Sequence, residues 1–324
     1  MVVKEKRNRR MLGKSGRVVV CLGLIVCLLS CYTGCSIIDD LLNGGKGNEG
    51  DSIPAEINLA RASSDGCFSW SGDVILGLTE TGKQETNIVI PQKASEIKDA
   101  AFAGATLKSV GFQNPDIILG EGMFDNCIAL EKVQLPDNIK GIPATLFKEC
   151  RSLQEIILPD QVKSIGDMAF YQCVSLEKVT HGGKLESIGH HAFHTCDKLR
   201  EFQFPPTLVS IGEGAFGWCY SLESVVLTGG NLEVLNRTIF TNCDKLASVV
   251  IPEGVKKMEI GVFAQCPNLV DIKLPESLTE IHEAAFKNTV ALGAKSKVFR
   301  VKKDSYADAS FNSYAITGDV KQYY

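Results

Sequence analysis

The sequence predicts a repeat solenoid of α/β to mainly β structure, with about nine stacked coils of 22–24 residues, a parallel sheet on one face and a cap at each end. Two observations support this fold. A phenylalanine returns every 22 to 24 residues, and it stands within the recurring pattern A-F-x-x-C-x-x-L-x-x-V-x-L-P. Such a period is typical of an array whose units bury their apolar faces only against their neighbours. The nine phenylalanines are Phe102, Phe124, Phe147, Phe170, Phe193, Phe216, Phe240, Phe263 and Phe286.

Each repeat unit divides into a strand, a corner and a turn. The segment L-x-x-V-x-L alternates inward and outward residues, as in LQEIILP at 153–159, which predicts a short strand. A proline after the strand ends the pairing because it has no N–H to donate. The V-x-x-I segment then turns the corner, and A-F-x-x-C forms the opposite side as a short turn or helical stub. The prolines are Pro136, Pro159, Pro205, Pro252 and Pro275.

Seven cysteines follow the phenylalanines by three residues. The same place holds Ala105 in the first unit and Thr289 in the last, so the shared property is small size. This pattern predicts free, buried thiols that fill space beside each phenylalanine. Two alternatives remain open: a disulfide between coils, since parallel strands lie about 4.8 Å apart, and a zinc site, although no C-x-x-C pair is present. The seven are Cys127, Cys150, Cys173, Cys196, Cys219, Cys243 and Cys266.

Residues 1–34 resemble a bacterial lipoprotein signal peptide. A basic region precedes 13 apolar residues, which are too few to span a bilayer, and small residues with a cysteine follow. The lipid is expected on Cys31, which follows Leu28-Leu29-Ser30, or on Cys35. Asp39 and Asp40 resemble a tag that sends lipoproteins to the cell surface. We therefore expect an exported chain, anchored by lipid in the outer membrane and facing the cell surface.

Four further segments follow the signal peptide. Residues 35–52 are rich in glycine and polar side chains, which predicts a flexible linker. Residues 53–84 are expected to form an N-terminal cap, residues 85–290 the repeat solenoid, and residues 291–324 a C-terminal cap that covers the last apolar edge.

Charge and motifs argue against several functions. Without its first 34 residues the chain has 27 basic and 37 acidic residues, a charge of −10, which disfavours binding to nucleic acid. Neither G-x-S-x-G, H-E-x-x-H nor a phosphate-binding loop occurs, so we predict no enzyme and no cofactor. His190, His191 and His194 lie near Cys196, but they occupy variable repeat positions and are interpreted as an exposed loop, not a metal site.

Two surfaces are candidate binding sites. The outward residue of V-x-L is expected to form one row along the sheet face, in which Val226 and Val250 are an exposed apolar pair. Repeat proteins commonly bind partners on such a face. A second candidate is an aromatic patch after the phenylalanine. The row is Gln134, Ile157, Thr180, Gln203, Val226, Val250 and Lys273; the patch is Tyr171, His194, Trp218 and Tyr220.

The repeat I-G-x-x-A-F-x-x-C-x-x-L-x-x-V-x-L-P resembles the BspA-like leucine-rich repeat of bacterial surface proteins. The resemblance covers roughly residues 85–290. It implies a curved leucine-rich-repeat solenoid with a sheet on one face, and surface adhesion or host-protein binding without catalytic residues. The segments 72–91 and 296–315 resemble the family's opening strands and its closing strand and helix.

Together these features predict a monomeric, non-catalytic, adhesin-like surface protein. Its partner is expected to be a protein or a glycan, and its contact with the membrane is expected only through the lipid. The alternative is a structural or scaffold subunit that docks onto another outer-membrane or periplasmic protein.

Overall fold

The computed structural model describes residues 57, 62–289, 296–315 and 319–324. The chain divides into two units, Met1–Asp51 and Ser52–Tyr324, and all of the described residues belong to the second. The predicted signal peptide, the linker and both candidate lipid sites, Cys31 and Cys35, lie outside the described residues. A search of the described part found no helix long and apolar enough to cross a membrane.

The second unit is a β-solenoid of about ten parallel stacked coils, which confirms the predicted fold. One line of short strands forms the predicted sheet face. All strand pairs within it are parallel, in the orders β3-β5-β7, β9-β11 and β14-β16-β18-β20-β21, with the pairing interrupted between β7 and β9 and between β11 and β14. These strands are β3 (Asn87–Ile90), β5 (Ser109–Phe112), β7 (Lys132–Val133), β9 (Glu155–Ile157), β11 (Lys178–Thr180), β14 (Ser224–Val226), β16 (Ser248–Val250), β18 (Asp271–Lys273), β20 (Val298–Val301) and β21 (Val320–Tyr323).

The corner segments form a second line of strands, which the sequence analysis read only as turns. Most of these strands have two residues and pair in register, so that Ser164, Ser187 and Ser210 lie side by side. The strands are β2 (Val74–Leu78), β4 (Glu96–Ile97), β6 (Ile118–Leu119), β8 (Gly141–Ile142), β10 (Ser164–Ile165), β12 (Ser187–Ile188), β13 (Ser210–Ile211), β15 (Val234–Leu235), β17 (Lys257–Met258) and β19 (Glu280–Ile281).

Glycines after this second line let neighbouring coils approach closely. A Cβ on Gly166, Gly189 or Gly212 would stand only 2.4 to 2.6 Å from a backbone nitrogen of the preceding coil. Real side chains do not tolerate such a distance, so the glycine of the I-G pair is required by packing.

The third side consists of turns, and none of the described residues there is helical. Its coils are joined by backbone bonds in series: the Phe147 N–H donates to Ala169, and the Phe170 N–H donates to Ala192, each at 2.8 Å. Two positions adopt left-handed backbone angles, two residues before and two residues after the phenylalanine; the coil of Phe286 has only the second. Most of them are not glycine, although the left-handed region is costly for other residues. Those after the phenylalanine are Gly104, Asn126, Glu149, Gln172, Thr195, Trp218, Asn242, Gln265 and Asn288.

The nine phenylalanines form one column through the centre of the solenoid. All are at most 2% exposed, and successive ring centroids lie 5.1 to 5.8 Å apart. The rings of Phe170 and Phe193 are almost parallel, at 2°. Adjacent coils therefore bury their largest apolar groups against each other, which is the main source of stability in a repeat array.

Both ends of the solenoid are closed by additional elements. At the N-terminal end, a 3-10 turn (Asp65–Cys67) leads into β1 (Phe68–Ser71), which forms an antiparallel hairpin with β2; another 3-10 turn spans Gly82–Gln84. At the C-terminal end, α1 (Tyr306–Ala309) and α2 (Phe311–Tyr314) lie between β20 and β21.

The C-terminal elements cover the last phenylalanine of the column. The ring of Phe286 meets Phe299 edge-on at 5.1 Å, and Tyr314 packs on Phe299 at 5.3 Å. A buried ion pair between Lys297 and Asp319 joins the starts of β20 and β21.

Candidate functional site

The cysteine column is a ladder of thiol donors. Each thiol donates to the carbonyl oxygen of the phenylalanine in the preceding coil, at 3.0 to 3.4 Å. The first unit has no preceding repeat phenylalanine, and there Ala105 suffices. Thr289 donates its hydroxyl to Phe286 of its own coil at 2.8 Å. The seven pairs are Cys127–Phe102, Cys150–Phe124, Cys173–Phe147, Cys196–Phe170, Cys219–Phe193, Cys243–Phe216 and Cys266–Phe240.

Burial makes most of these thiols weak nucleophiles. The eight cysteines of the described ranges, Cys67 included, are free and buried, with none of them in a disulfide. Burial raises the pKa of Cys127 and Cys219 to about 12 and raises that of Cys173 further. A thiol must lose its proton to act as a nucleophile or a metal ligand. The column therefore serves packing and hydrogen bonding.

The outward row of the sheet face lies where the sequence analysis expected it. Ile157 pairs with Thr180, and Val226 pairs with Val250, which in turn pairs with Lys273. The four N-terminal members Gln134, Ile157, Thr180 and Gln203 are exposed, Ile157 by 60%. Val226, Val250 and Lys273 are half-buried, so the expected exposed valine pair is more enclosed than predicted.

A parallel row of outward residues lies beside it and changes character along the sheet. In the N-terminal half it alternates in charge: Lys132, Glu155, Lys178 and Glu201. Ser224 and Ser248 follow, and the charges return at Asp271, whose carboxylate accepts two hydrogen bonds from Arg300 at 2.8 and 3.2 Å. Ser224, Val226 and Val250 are half-buried, and Ser248 is buried; together they form a part of the sheet face without charge, which we call the uncharged patch.

Three of the four aromatic-patch residues lie in contact on the turn side. The rings of Tyr171 and His194 stack at 5.2 Å, and those of His194 and Trp218 approach to 4.6 Å with a tilt of 36°. All three are half-buried. Tyr220, which is 39% exposed, is not part of this stack. Its pKa is raised by partial burial and by the nearby carboxylates of Asp197 and Asp244.

The three neighbouring histidines do not form one exposed loop: His190 is exposed, whereas the half-buried rings of His191 and His194 meet edge-on at 5.2 Å. His190 Nδ1 accepts from the Glu213 N–H at 3.1 Å, and His194 Nδ1 lies 2.8 Å from the Thr195 hydroxyl. His191 is half-buried with its Nδ1 unpaired. Burial, followed by the neighbouring His191, lowers the pKa of His194 to about 4. Within the described ranges, no group of three or more His, Cys, Asp or Glu side chains could hold a metal ion.

One concave surface was not anticipated from the sequence. A shallow groove of about 380 Å³ runs along the second line of strands, floored by Ser164, Ser187, Ser210 and the close-packing glycines. The repeated S-I-G tripeptide indicates this groove in the sequence. Its isoleucine is buried, so only serine and glycine face outward on three successive coils.

Comparison with known proteins matches the repeats to a family model. The model described as "BspA type Leucine rich repeat region" matches in six copies at residues 81–198 and 163–293, which is more than half of the chain. A search among curated proteins returned no significant match.

Several solved structures are similar to this chain. A leucine-rich repeat protein of T. pallidum is 26% identical, with a TM-score of 0.46, over 64% of this chain and 91% of its own. A leucine-rich cell surface protein of Faecalibacterium prausnitzii is 22% identical, with a TM-score of 0.44, over 81% and 94%. A leucine-rich repeat protein of Bacteroides ovatus is 19% identical, with a TM-score of 0.35, over 79% and 97%.

Proposed function

Because the chain belongs to the BspA-type leucine-rich repeat family, we propose that it is a non-catalytic, adhesin-like surface protein that binds a protein partner through the C-terminal half of its sheet face. The family suggests a protein-binding role, and repeats of this type are associated with the cell surface. Within the proposal, the chain is held in the outer membrane by a lipid on Cys31 or Cys35.

The uncharged patch is the observation that supports this binding surface. It interrupts the charged row between Glu201 and Asp271, and Gln203 and Lys273 border it in the neighbouring row. An apolar centre with a polar border is the usual anatomy of a protein interface, since the centre loses water on binding and the border sets orientation.

The surface is also rigid before it binds. Val226 and Val250 stand on β14 and β16, which pair in register, and their neighbours Val225 and Val249 are completely buried. A side chain fixed in this way loses little conformational entropy on binding, which favours affinity.

Lysine substitution within the outward row tests the binding surface. Lys273 shows that the row accepts lysine, so Val226→Lys and Val250→Lys should fold. In the full-length chain, we expect the double variant to capture at least tenfold less host matrix protein or outer-membrane protein than the unchanged sequence. Thr180→Lys, in the N-terminal half of the same row, is the matched control and should bind like the unchanged chain. Equal capture by all three proteins would contradict the proposal.

Location is tested on whole cells. Protease added outside should remove the repeats, and Cys31→Ala or Cys35→Ala, whichever removes the lipid site, should release the chain from the membrane. Repeats that stay protected until the outer membrane is opened would favour instead a scaffold that docks onto a periplasmic or outer-membrane protein.

A further inference from the structure

Trp218 occupies a backbone position that does not suit tryptophan. Its φ is +59°, in the left-handed region, where a bulky side chain is strained. The same position holds Asn126, Asn242 and Asn288 in three coils and Glu149, Gln172, Thr195 and Gln265 in four others; of these, asparagine adopts this conformation most readily, and Trp218 is the bulkiest residue in the row. Folding alone would favour asparagine here. A strained residue that folding does not require is a marker of function.

The second tryptophan of the chain shows what a structural tryptophan looks like. The indole N–H of Trp70 donates to the Asp65 carbonyl at 3.1 Å, and the ammonium of Lys93 lies 4.5 Å from its ring centroid. Within the described residues, the indole N–H of Trp218 donates to no acceptor, and it is not among the polar atoms sealed from solvent. Trp218 therefore keeps a free donor at the surface.

Polar residues occupy repeat positions next to that of Trp218. Thr195 and Asn242 hold the same row in the coils before and after it. Tyr220 follows two residues later in the same coil, with the carboxylate of Asp197 near it. The Oδ1 atom of that carboxylate is sealed from solvent and has no hydrogen-bond donor, so this oxygen gains a partner only if the side chain turns toward a ligand. Amides and hydroxyls both donate and accept, and carboxylates accept.

We propose that the surface formed by Trp218, Tyr220, Asp197 and Asn242 is a binding site for a neutral carbohydrate chain. The C–H face of a sugar ring packs against an indole or phenol ring, while its hydroxyls bond to amide and carboxylate groups. The carboxylates of Asp197 and Asp244 disfavour an acidic sugar, because like charges repel.

The rings of His194 and Tyr171 extend the site along the solenoid. They continue from Trp218 over the two preceding coils, so the aromatic surface spans three coils. A ligand of several sugar units fits this length better than a monosaccharide. The site lies on the turn side and is independent of the uncharged patch on the sheet face.

The test is saturation-transfer NMR on the full-length chain, held in a detergent without a sugar headgroup. The probes are neutral oligosaccharides of glucose, mannose, galactose and N-acetylglucosamine. We expect transfer to at least one of them, and at least a tenfold loss of its affinity in Trp218→Asn. That variant keeps the fold, because asparagine holds the equivalent place at Asn242. Absence of transfer to every probe, or equal affinity in Trp218→Asn, overturns the proposal.

Two controls separate this site from the rest of the molecule. Trp70→Phe leaves Trp218 as the single tryptophan, so its fluorescence should change on sugar binding with the affinity found by NMR; an unchanged emission would overturn the assignment. The double variant Val226→Lys with Val250→Lys should bind the sugar normally. A failure of the protein-binding proposal is thereby distinguishable from a failure of the carbohydrate site.

Discussion

The phenylalanine column and the aromatic patch both run along the solenoid axis, yet they differ in almost every physical respect. The column is present in nine successive coils and is buried at every position. The stacked part of the patch, Tyr171, His194 and Trp218, is confined to three coils and is half-buried, with Trp218 on strained backbone. Aromatic rings at similar spacing therefore differ in burial and in backbone strain. We expect the column to stabilise the fold and the patch to contribute little.

This difference distinguishes side chains that hold the coils together from side chains that are present in one region only. A group that recurs in every coil belongs to the interface between coils, because all the interfaces are alike. A side chain that does not recur in every coil is not required for packing between coils. Such side chains are therefore where we expect binding sites. Four substitutions or conditions test the comparison.

Phe193→Ala should have the largest effect. Its ring lies between Phe170 and Phe216, each at 5.1 Å, and is completely buried. Removing it leaves a cavity that the stacked coils cannot close, at a cost of about 3–5 kcal/mol. The free energy of unfolding from denaturant titration measures this loss. An unchanged denaturation midpoint would contradict the conclusion that the stacked rings stabilise the solenoid.

Acid should weaken the patch and not the column. The pKa of His194 is about 4 in the folded chain against an ordinary value of 6.5. As pH falls below 6.5 the unfolded chain takes up a proton that the folded chain refuses, so stability present above pH 6.5 is lost down to about pH 4. After allowance for solvent screening we expect a loss of about 1–2 kcal/mol.

A replacement already present in the row provides the control for this pH effect. His194→Tyr places there the residue that Tyr171 supplies in the preceding coil. Its unfolding free energy should change less between pH 7 and pH 4.5 than that of the unchanged chain. Parallel pH profiles for the two proteins would show that His194 is not the titrating group.

Cys196→Ala should be mild. The Phe170 carbonyl loses the thiol at 3.3 Å but keeps the backbone N–H of Cys173 at 3.1 Å, so no buried acceptor is orphaned. We expect a cost of about 1 kcal/mol, measured by thermal unfolding. A melting temperature of the unchanged chain that falls on adding a reducing agent or a chelator would point to a disulfide or a metal instead.

Trp218→Asn should have the smallest effect and the opposite sign. Relief of the left-handed strain exceeds the loss of ring contact with His194, so we expect a gain of roughly 0.5 kcal/mol in unfolding free energy. A loss above about 1 kcal/mol would place Trp218 with the structural aromatics, beside the column.

The sequence predicted the parts of the fold that repeat. The period of Phe193 and its equivalents placed the column, and the alternation in LQEIILP placed the strand and the outward row from Gln134 to Lys273. The second line of strands escaped prediction because segments as short as Ser164–Ile165 are too short to show an alternation. Their pairing depends on the neighbouring coil, which a single unit does not contain.

Several features of the candidate sites depend on contacts that the sequence pattern does not encode. A glycine in the sequence indicates a left-handed position after the phenylalanine at Gly104 and before it at Gly214. Thr195 and Trp218 have left-handed backbone angles without such a signal. The bridge from Arg300 to Asp271 joins residues of different elements. The hydrogen bond from the Glu213 N–H to His190 Nδ1 likewise arises only when successive coils stack.

The register of Ser164, Ser187 and Ser210 has an evolutionary consequence. Since each coil presents to its successor the same surface that it received from its predecessor, an in-frame duplication of one unit adds a coil that fits both neighbours without compensating changes. The length of the molecule is therefore easily varied by recombination within its own gene, while the two terminal elements stay fixed. The length of the solenoid and the residues of its binding surfaces can therefore evolve separately.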